Sequence, residues 1–227
     1  MAGLPFSASG LRLELGGETI IDLPELHIAP GALTVLSGPS GSGKSSLLYL
    51  LSGLLLPSAG TLDWAGTDLA SLRESRRDAW RRNNAGFIFQ NFHLIEELDP
   101  LANVLVAAWF GHASAAPWRD RALRLLEEFG VPRDRARTAL LSRGEQQRVA
   151  IARALLFDPA VIFADEPTAS LDAASGAVVI ATLQRLAHAE GRTVIVASHD
   201  HALLAAADRT IALEHGHPVR ILDRSLA

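Results

Sequence analysis

The sequence predicts an α/β fold built on a mainly parallel sheet. The start of the chain is rich in strand-like patterns, the middle is helical, and from Glu145 onward strands and helices alternate, as a parallel sheet requires. Of the 227 residues, 48% are hydrophobic, which suffices for one large core or two modest ones. No segment is dominated by one residue type, so we expect an ordered chain and a single domain over residues 1–227.

Hydrophobic periodicity places the individual elements. Alternating or short apolar runs predict strands at 11–15, 25–29, 33–37, 61–64, 86–89, 160–164, 193–197 and 210–213. Helical spacing predicts helices at 44–54, 72–82, 101–110, 118–129, 145–157 and 173–189, with a short helix from His201. Because the strand-like pattern stops near Gln90 and resumes near Leu140, we expect a helical subdomain inserted over about residues 91–140.

Composition excludes several classes of function. The formal charge of −4 provides no bulk attraction to nucleic acid or anionic lipid, and the absence of cysteine excludes disulfides, thiolate zinc sites and cysteine nucleophiles. The most apolar run, 47–56, is interrupted by Ser52 and Gly53 and is shorter than the ~18–20 residues that cross a bilayer. Residues 1–10 show no secretory signal. We therefore expect a cytoplasmic protein without a membrane anchor of its own.

A glycine-rich segment contains the only lysine of the chain. Residues 38–45 fit the pattern G-x-x-x-x-G-K-[ST], follow a predicted strand and open a predicted helix, which is the context of a phosphate-binding loop in a P-loop NTPase core. Backbone N–H groups would surround phosphate oxygens, Lys44 would neutralise the β- and γ-phosphates, and the Ser45 hydroxyl would ligate Mg²⁺. The alternative is a simple glycine turn. The predicted phosphate-binding residues are Gly38, Pro39, Ser40, Gly41, Ser42, Gly43, Lys44, Ser45 and Ser46.

Two carboxylates follow an entirely apolar strand. Asp165 and Glu166 come directly after the 161–164 run, at the strand end where open α/β sheets bind ligands. Asp165 suits a Mg²⁺ site, and Glu166 could orient or deprotonate the water that attacks a γ-phosphate. The alternative is a solvated strand end.

Further motifs make the chain resemble the ATP-binding cassette of ABC transporters. They are Gln90 after a strand, the run 141–148 (Leu-Ser-Arg-Gly-Glu-Gln-Gln-Arg) at the start of a helix, and the segments 170–172 and 198–200 after two strands. Their order matches the family from about residue 11 to residue 213. The resemblance implies ATP and Mg²⁺ as cofactors, and an antiparallel β subdomain near the N-terminus.

The resemblance also implies roles for individual residues. It places Gln90 in the Q-loop, beside the Mg²⁺ and the attacking water, and makes residues 170–172 the D-loop. Ser142, Gly144 and Glu145 belong to the signature loop, which binds nucleotide. His199 becomes the switch histidine, which holds Glu166, water and phosphate in register, although a histidine at a strand end is often only a hydrogen-bonded rim residue.

Two separate phosphate-binding segments in the sequence indicate that the chain forms a dimer. The helix near Glu145 offers a second set of N–H donors for phosphate, but the phosphate loop of the same chain already covers one side of a nucleotide. The resemblance implies a head-to-tail homodimer, with each ATP between the Lys44 loop of one subunit and Ser142 to Gly144 of the other. It also implies a separate transmembrane permease, a peripheral location on the inner face of the cell membrane, and no nucleic-acid partner.

The sequence departs from the family pattern at three places. Leu15 precedes Gly16-Gly17 where many cassettes have an aromatic residue that stacks on adenine. Arg143 replaces a usual signature glycine, and its side chain is expected to face the partner subunit or the phosphates. Residues 86–94 and 145–148 resemble cassettes of lipoprotein-releasing, macrolide-exporting and cell-division complexes, but Ala169-Ser170 stands where that group usually has Gly-Asn.

Other readings remain open at this point. A non-transport cassette that acts on nucleic acid or another soluble partner would use the same motifs, although such chains usually carry long coiled coils or cysteine zinc modules. A nucleotide kinase or GTPase would explain the phosphate loop but not residues 142–146 or His199. The apolar stretch 101–110, with Trp109 and Phe110 at its end, fits a permease-docking groove and an ordinary core helix equally well.

Overall fold

Two sheets form the framework of the protein. The computed structural model describes residues 2–111, 114–132 and 135–223, so residue 1 and residues 224–227 of the predicted domain lie outside it. The smaller sheet is antiparallel, in the order β2-β1-β4-β5. Its strands are β1 (Phe6–Leu15), β2 (Glu18–Ile28), β4 (Asp63–Trp64) and β5 (Thr67–Asp68). The antiparallel β subdomain expected near the N-terminus is confirmed.

The larger sheet has six strands in the order β10-β9-β3-β8-β7-β6 and is parallel except for β10. Every residue of β3, β7 and β8 is buried, as expected for strands covered on both faces. Alternate side chains of β7 and β8 enter two different apolar clusters, one on each face. The six strands are β3 (Leu33–Ser37), β6 (Ala85–Ile88), β7 (Val161–Asp165), β8 (Thr193–Ala197), β9 (Arg209–Glu214) and β10 (His217–Asp223).

Seven α-helices occur in the described ranges. They are α1 (Lys44–Leu51), α2 (Glu74–Asn84), α3 (Pro100–Gly111), α4 (Arg119–Glu128), α5 (Arg143–Ala154), α6 (Ala173–His188) and α7 (His201–Ala206). Helices α3 and α4 lie between β6 and α5 in the chain and pack against α5. The helical insertion is thus present, and its bounds at 91–140 stay a proposal. None of the helices in the described ranges combines the length and the apolar character that a bilayer span needs.

Several elements differ from the sequence predictions, including β2, which begins at Glu18 rather than residue 25, and β5, which was not predicted; the differences at α1, β1 and β10 are local. Helix α1 ends at Leu51 rather than residue 54, because Gly53 adopts φ +68° and turns the chain away. Strand β1 begins at Phe6 rather than residue 11. Its first half was not predicted because Gly10, with φ +57°, shifts the buried side chains from even to odd positions and so interrupts the alternating pattern. Strand β10 was not predicted, and it pairs with β9 across a two-residue turn.

A chain of five ion pairs begins and ends on α4 and joins this helix to the body of the protein. The Arg121 guanidinium lies 3.0 Å from Asp158, and that of Arg192 lies 2.7 Å from Asp158. Arg192 and Arg185 both pair with Glu190, and Arg185 returns to α4 by a 2.7 Å contact with Glu128. Burial raises the pKa of Asp158, but the hydrogen bond and charge of Arg192 and the charge of Arg121 outweigh it and lower that pKa.

Candidate functional site

The glycine-rich loop lies between β3 and α1, where the helix begins. Lys44 is buried, and its Nζ donates hydrogen bonds of 2.9 Å to the carbonyls of Gly38 and Pro39. Gly43 stands at the N-cap with φ +95°, so this described helix start carries no side-chain cap and no acidic residue in its first turn. Its N–H groups and positive dipole end are therefore available to an anion.

Neighbouring strands support the loop from behind. The N–H of Gly216, in the β9–β10 turn, donates to the Ser42 carbonyl at 3.1 Å, and the carbonyl of Gly216 accepts from the N–H of Asp22. A Cβ on Gly38 would lie 2.2 Å from the Leu213 carbonyl oxygen, so only glycine fits there. The Ser42 hydroxyl is buried and has no hydrogen-bond partner in the described structure. An orphaned hydroxyl in a loop with free N–H donors fits a polar ligand.

The Asp165 carboxylate receives two hydroxyl groups from α1. Ser45 Oγ donates to Oδ1 at 2.9 Å, and Tyr49 Oη donates to Oδ2 at 2.8 Å. Burial raises the pKa of Tyr49 to about 12, with help from the hydrogen bond and the charge of Asp165. The sequence analysis paired Ser45 with Asp165 but missed Tyr49, although its position one helical turn after Ser45 places both side chains on one face. Carboxylate and hydroxyl oxygens are the ligands that Mg²⁺ prefers, so this donor set fits the expected ion.

Glu166 and His199 lie together at the adjoining strand ends. His199 Nδ1 lies 2.8 Å from Glu166 Oε1, and because an ionised carboxylate only accepts, Nδ1 is the donor. Ser198 Oγ donates to Oε2 at 3.0 Å. The Glu166 side chain is only 15% exposed, whereas that of His199 is 76% exposed. Ser198 belongs to the 198–200 motif, but the sequence suggested a role only for its neighbour His199.

The backbone at Glu166 is strained. Its φ is +45°, in the left-handed region that non-glycine residues seldom adopt. The N–H of Glu166 donates to the Ala197 carbonyl at 2.9 Å, which links β7 to β8 just beyond Asp165. Such strain persists where the surroundings enforce it, and here it turns the Glu166 side chain toward Ser198 and His199.

The turn at Ser142 is an N-cap built from side chains. Ser142 and Glu145 form a capping box at the start of α5: Ser142 Oγ accepts from the Glu145 N–H, and the Glu145 carboxylate accepts from the Ser142 N–H at 2.7 Å. The hydrogen bond from the Ser142 N–H, and next the one that the Ser142 hydroxyl donates to the same carboxylate at 2.8 Å, lower the pKa of Glu145. Glu145, predicted to bind nucleotide, is thus engaged within its own turn.

The same turn packs against the start of α6. A Cβ on Gly144 would lie 2.6 Å from Ser175 Oγ, so glycine permits this approach. Ser175 Oγ in turn donates to the Asp172 carboxylate at 2.8 Å. The 142–145 turn therefore contacts the segment after residues 170–172, and none of the described hydrogen bonds joins it to the 38–45 loop of the same chain.

Two arginines of α5 hold the turn that follows Gln90. The Arg143 guanidinium lies 4.7 Å from the centre of the Phe92 ring, a cation–π distance, and Arg153 donates to the carbonyls of Phe92 and His93. In this chain, Arg143 therefore covers a ring of its own subunit. Gln90 itself is exposed, and the described structure gives it no hydrogen bond to Ser45, Asp165 or Glu166.

Residues 22–169 match the family model for the ABC transporter. This chain belongs to the ABC transporter family. The family membership and the similarity to a solved ABC cassette confirm the predicted α/β fold, the binding of ATP and the enzyme class, an ATPase.

Relatives of this ABC family chain include macrolide exporters. The chain is 46% identical over 222 residues to a macrolide export ATP-binding/permease protein of Rhodopseudomonas palustris (strain BisB18), covering 95% of this chain and 33% of that protein. It is 39% identical over 216 residues to an uncharacterized ABC transporter ATP-binding protein of Mycobacterium bovis, covering 94% of this chain and 65% of that protein. The chain thus spans about a third of the length of the macrolide-export relatives it matches.

A solved structure shares the whole ABC fold. It is a dimeric ATP-binding cassette in a post-hydrolysis state, bound to ADP and Pi, with a TM-score of 0.86 and 32% sequence identity. The similarity covers 96% of this chain and 98% of the other. The predicted resemblance to ABC cassettes, and to the macrolide-exporting group among them, is confirmed.

Proposed function

We propose that this chain binds MgATP in the loop around Lys44, hydrolyses it at Glu166, works as a head-to-tail dimer, and drives a separate membrane permease. The observation that carries the proposal is the contact of Glu166 with both Ser198 and His199 beside the Ser45–Asp165 pair. These three contacts support a water-activating carboxylate next to a cation site and a phosphate loop.

Phosphate binding rests on the open start of α1. Lys44, Ser45 and Ser46 at the start of α1 offer N–H groups without a capping side chain, and the Lys44 ammonium already lies against the loop carbonyls. An arriving triphosphate replaces those neutral carbonyls with charged oxygens, which are stronger acceptors. Lys44 then holds the β- and γ-phosphates as a compact point charge.

The cation site uses oxygen donors on α1 and at the end of β7. Ser45 supplies a hydroxyl and Asp165 a carboxylate, and Gln90 approaches from its exposed turn when the site closes. When bound, Mg²⁺ neutralises charge that develops on the phosphate oxygens. The Ser45–Asp165 hydrogen bond supports this assignment because it already brings the two donor groups together.

Hydrolysis depends on how Glu166 is held. Ser198 and His199 each donate to a different carboxylate oxygen, so the carboxylate cannot rotate freely. Each oxygen keeps a lone pair with which it can orient a water toward the γ-phosphate and accept its proton. His199, largely exposed beside Glu166, is placed to contact the γ-phosphate from the rim.

A second copy completes each site. Ser142 and Gly144 lie at the N-terminus of α5, whose N–H groups suit a phosphate, yet no described hydrogen bond ties this turn to the Lys44 loop of its own chain. Head-to-tail pairing about a twofold axis brings each turn to the other subunit's nucleotide. The closing and opening of this dimer then drive the permease.

A groove beside the Gln90 turn supports permease docking. It has a volume of about 550 Å³ and lies among α2, β6, α3 and α5. Most of its lining residues are apolar, and three arginines also line it. This lining suits a partner helix with an apolar face and acidic groups. Val106 and Ala107 of the predicted stretch line it, Trp109 is half exposed, and the side chain of Phe110 lies outside the described residues. Docking there would keep the chain peripheral on the inner face of the membrane.

A charge reversal on this groove tests the permease proposal. We expect the tagged chain to be isolated from membranes with a polytopic partner, and Arg82→Glu to reduce that recovery at least fivefold. Arg82 lines the groove, whereas Arg76 is an exposed arginine of the same helix that does not, so Arg76→Glu is the matched control. Equal recovery with both variants would contradict this docking surface, and recovery of DNA or a soluble partner instead would favour a non-transport cassette.

A further inference from the structure

Tyr49 lies at the proposed cation site but belongs to none of the sequence motifs named above. Its Oη donates to Asp165 Oδ2 at 2.8 Å, while Ser45 Oγ donates to Oδ1 at 2.9 Å. Ser45 and Tyr49 are four residues apart on α1, so their side chains project from the same face of the helix. The two hydroxyls therefore hold the two oxygens of one carboxylate.

The geometry gives the two hydroxyls different tasks. The terminal torsion of an aspartate is broad and nearly twofold, so one hydrogen bond leaves the carboxylate free to swing or flip. A second bond from a rigid phenol fixes its plane. Asp165 is only 8% exposed, so water has little access to replace a lost donor at Oδ2. Tyr49 thus fixes the plane in which the Asp165 carboxylate presents its other oxygen to Ser45.

We propose that Tyr49 is a positioning residue that orients the Asp165 carboxylate for the divalent cation of the nucleotide site. The inference rests on the proposed MgATP site and adds a residue to it. The competing explanation is that the Tyr49 hydroxyl merely satisfies a buried carboxylate while its ring packs against the apolar cluster around α1. The two explanations differ in what happens to cation affinity when only the hydroxyl is removed.

Tyr49→Phe makes that removal and keeps the ring. Mn²⁺ serves as the probe for the cation, because its unbound fraction can be counted by electron paramagnetic resonance in the presence of the full chain and ATP. We expect Tyr49→Phe to weaken Mn²⁺ binding about fivefold to tenfold. ATP binding measured in EDTA is expected to stay within twofold of wild type, since the Lys44 loop is untouched.

A control and a second variant separate positioning from packing. Thr182→Val removes another largely buried hydroxyl, one that donates to the Val178 carbonyl on α6, and should leave Mn²⁺ affinity unchanged. If Tyr49 acts through Asp165, Tyr49→Phe has no further effect on Mn²⁺ affinity once Asp165→Asn is present. A purely structural role would instead lower the melting temperature in both backgrounds and leave Mn²⁺ affinity alone.

The outcomes distinguish this inference from the proposed function. If wild type binds Mn²⁺ with ATP and Tyr49→Phe binds it equally well, the role of Tyr49 is overturned and the MgATP site stands. If wild type binds no Mn²⁺ in the presence of ATP, the cation site itself is wrong and the role of Tyr49 falls with it.

Discussion

Replacing Glu166 by glutamine is expected to stop hydrolysis while leaving ATP binding intact. Glutamine has the same shape, so it keeps one oxygen acceptor and substitutes an NH₂ donor for the other oxygen. The Ser198 hydroxyl can rotate to accept from that NH₂ or continue to donate to the oxygen, so the local structure has no reason to collapse. What disappears is the base, because an amide cannot take a proton from water.

The magnitude follows from that single loss. A positioned general base contributes about 10²–10⁴-fold to a rate, which corresponds to about 2.7–5.4 kcal/mol of barrier at about 1.36 kcal/mol per factor of ten. Since Glu166 is held at both oxygens and only 15% exposed, we expect the upper half of that range, at least a thousandfold. Ground-state binding of ATP does not use the lost proton acceptor, so its dissociation constant stays within about threefold.

Two assays on the Glu166→Gln protein test whether hydrolysis is lost while ATP binding is kept. Phosphate release under saturating MgATP measures turnover, and a fluorescent ATP analogue titrated into the chain measures binding. The matched control is Glu25→Gln, an exposed carboxylate on β2 that pairs only loosely with His27. Turnover reduced less than tenfold, or binding lost together with turnover, would refute the assignment of Glu166 as the base.

Two further predictions concern the phosphate loop and assembly. Lys44→Ala is expected to weaken ATP binding at least a hundredfold, about 2.7 kcal/mol, because the phosphates lose their only lysine; near-normal affinity in a calorimetric titration would reject this role. Glu166→Gln is expected to accumulate as a dimer with ATP, because hydrolysis no longer separates the two subunits. Ser142→Arg is expected to leave ATP binding by the single chain within threefold of wild type, yet to block that dimer. The reason is that bulk and charge at the start of α5 obstruct the other subunit's nucleotide. Light scattering of the double variant checks this, and a persistent ATP-dependent dimer would place the turn outside the interface.

The sequence predicted best the parts of the site that one short segment builds. The loop from Gly38 to Ser45 was readable because its glycines, its lysine and the following helix are adjacent in the chain. Asp165 and Glu166 were readable because a fully apolar strand ends beside them. The roles of Tyr49 and Ser198 were missed because each acts through a contact with a residue more than 30 positions away, which no local pattern announces.

Two other differences between prediction and structure, at Glu145 and at strand β10, have a local cause in the sequence. Ser142 and Glu145 fit the S-x-x-E capping pattern, so the engagement of Glu145 within its own turn was visible in the sequence. Strand β10 follows His215 and Gly216, both at positive φ, the combination that a tight hairpin turn requires. Histidine is an unusual first residue for such a turn, and the polar residues around it masked the strand.

The chain of ion pairs that joins α4 to the body of the protein makes this contact depend on ionic strength. It contains three arginines and three carboxylates, so it is neutral and adds nothing to the formal charge of −4. Arg192 is nearly buried, whereas Glu128 is half exposed, so salt ions reach the pair at Glu128 more easily than the pair at Arg192. The distance over which charges act falls from about 10 Å at 0.1 M salt to about 3 Å at 1 M. Rising salt therefore weakens the ion pair between Glu128 and Arg185 first, while the ion pair between Arg192 and Asp158 persists.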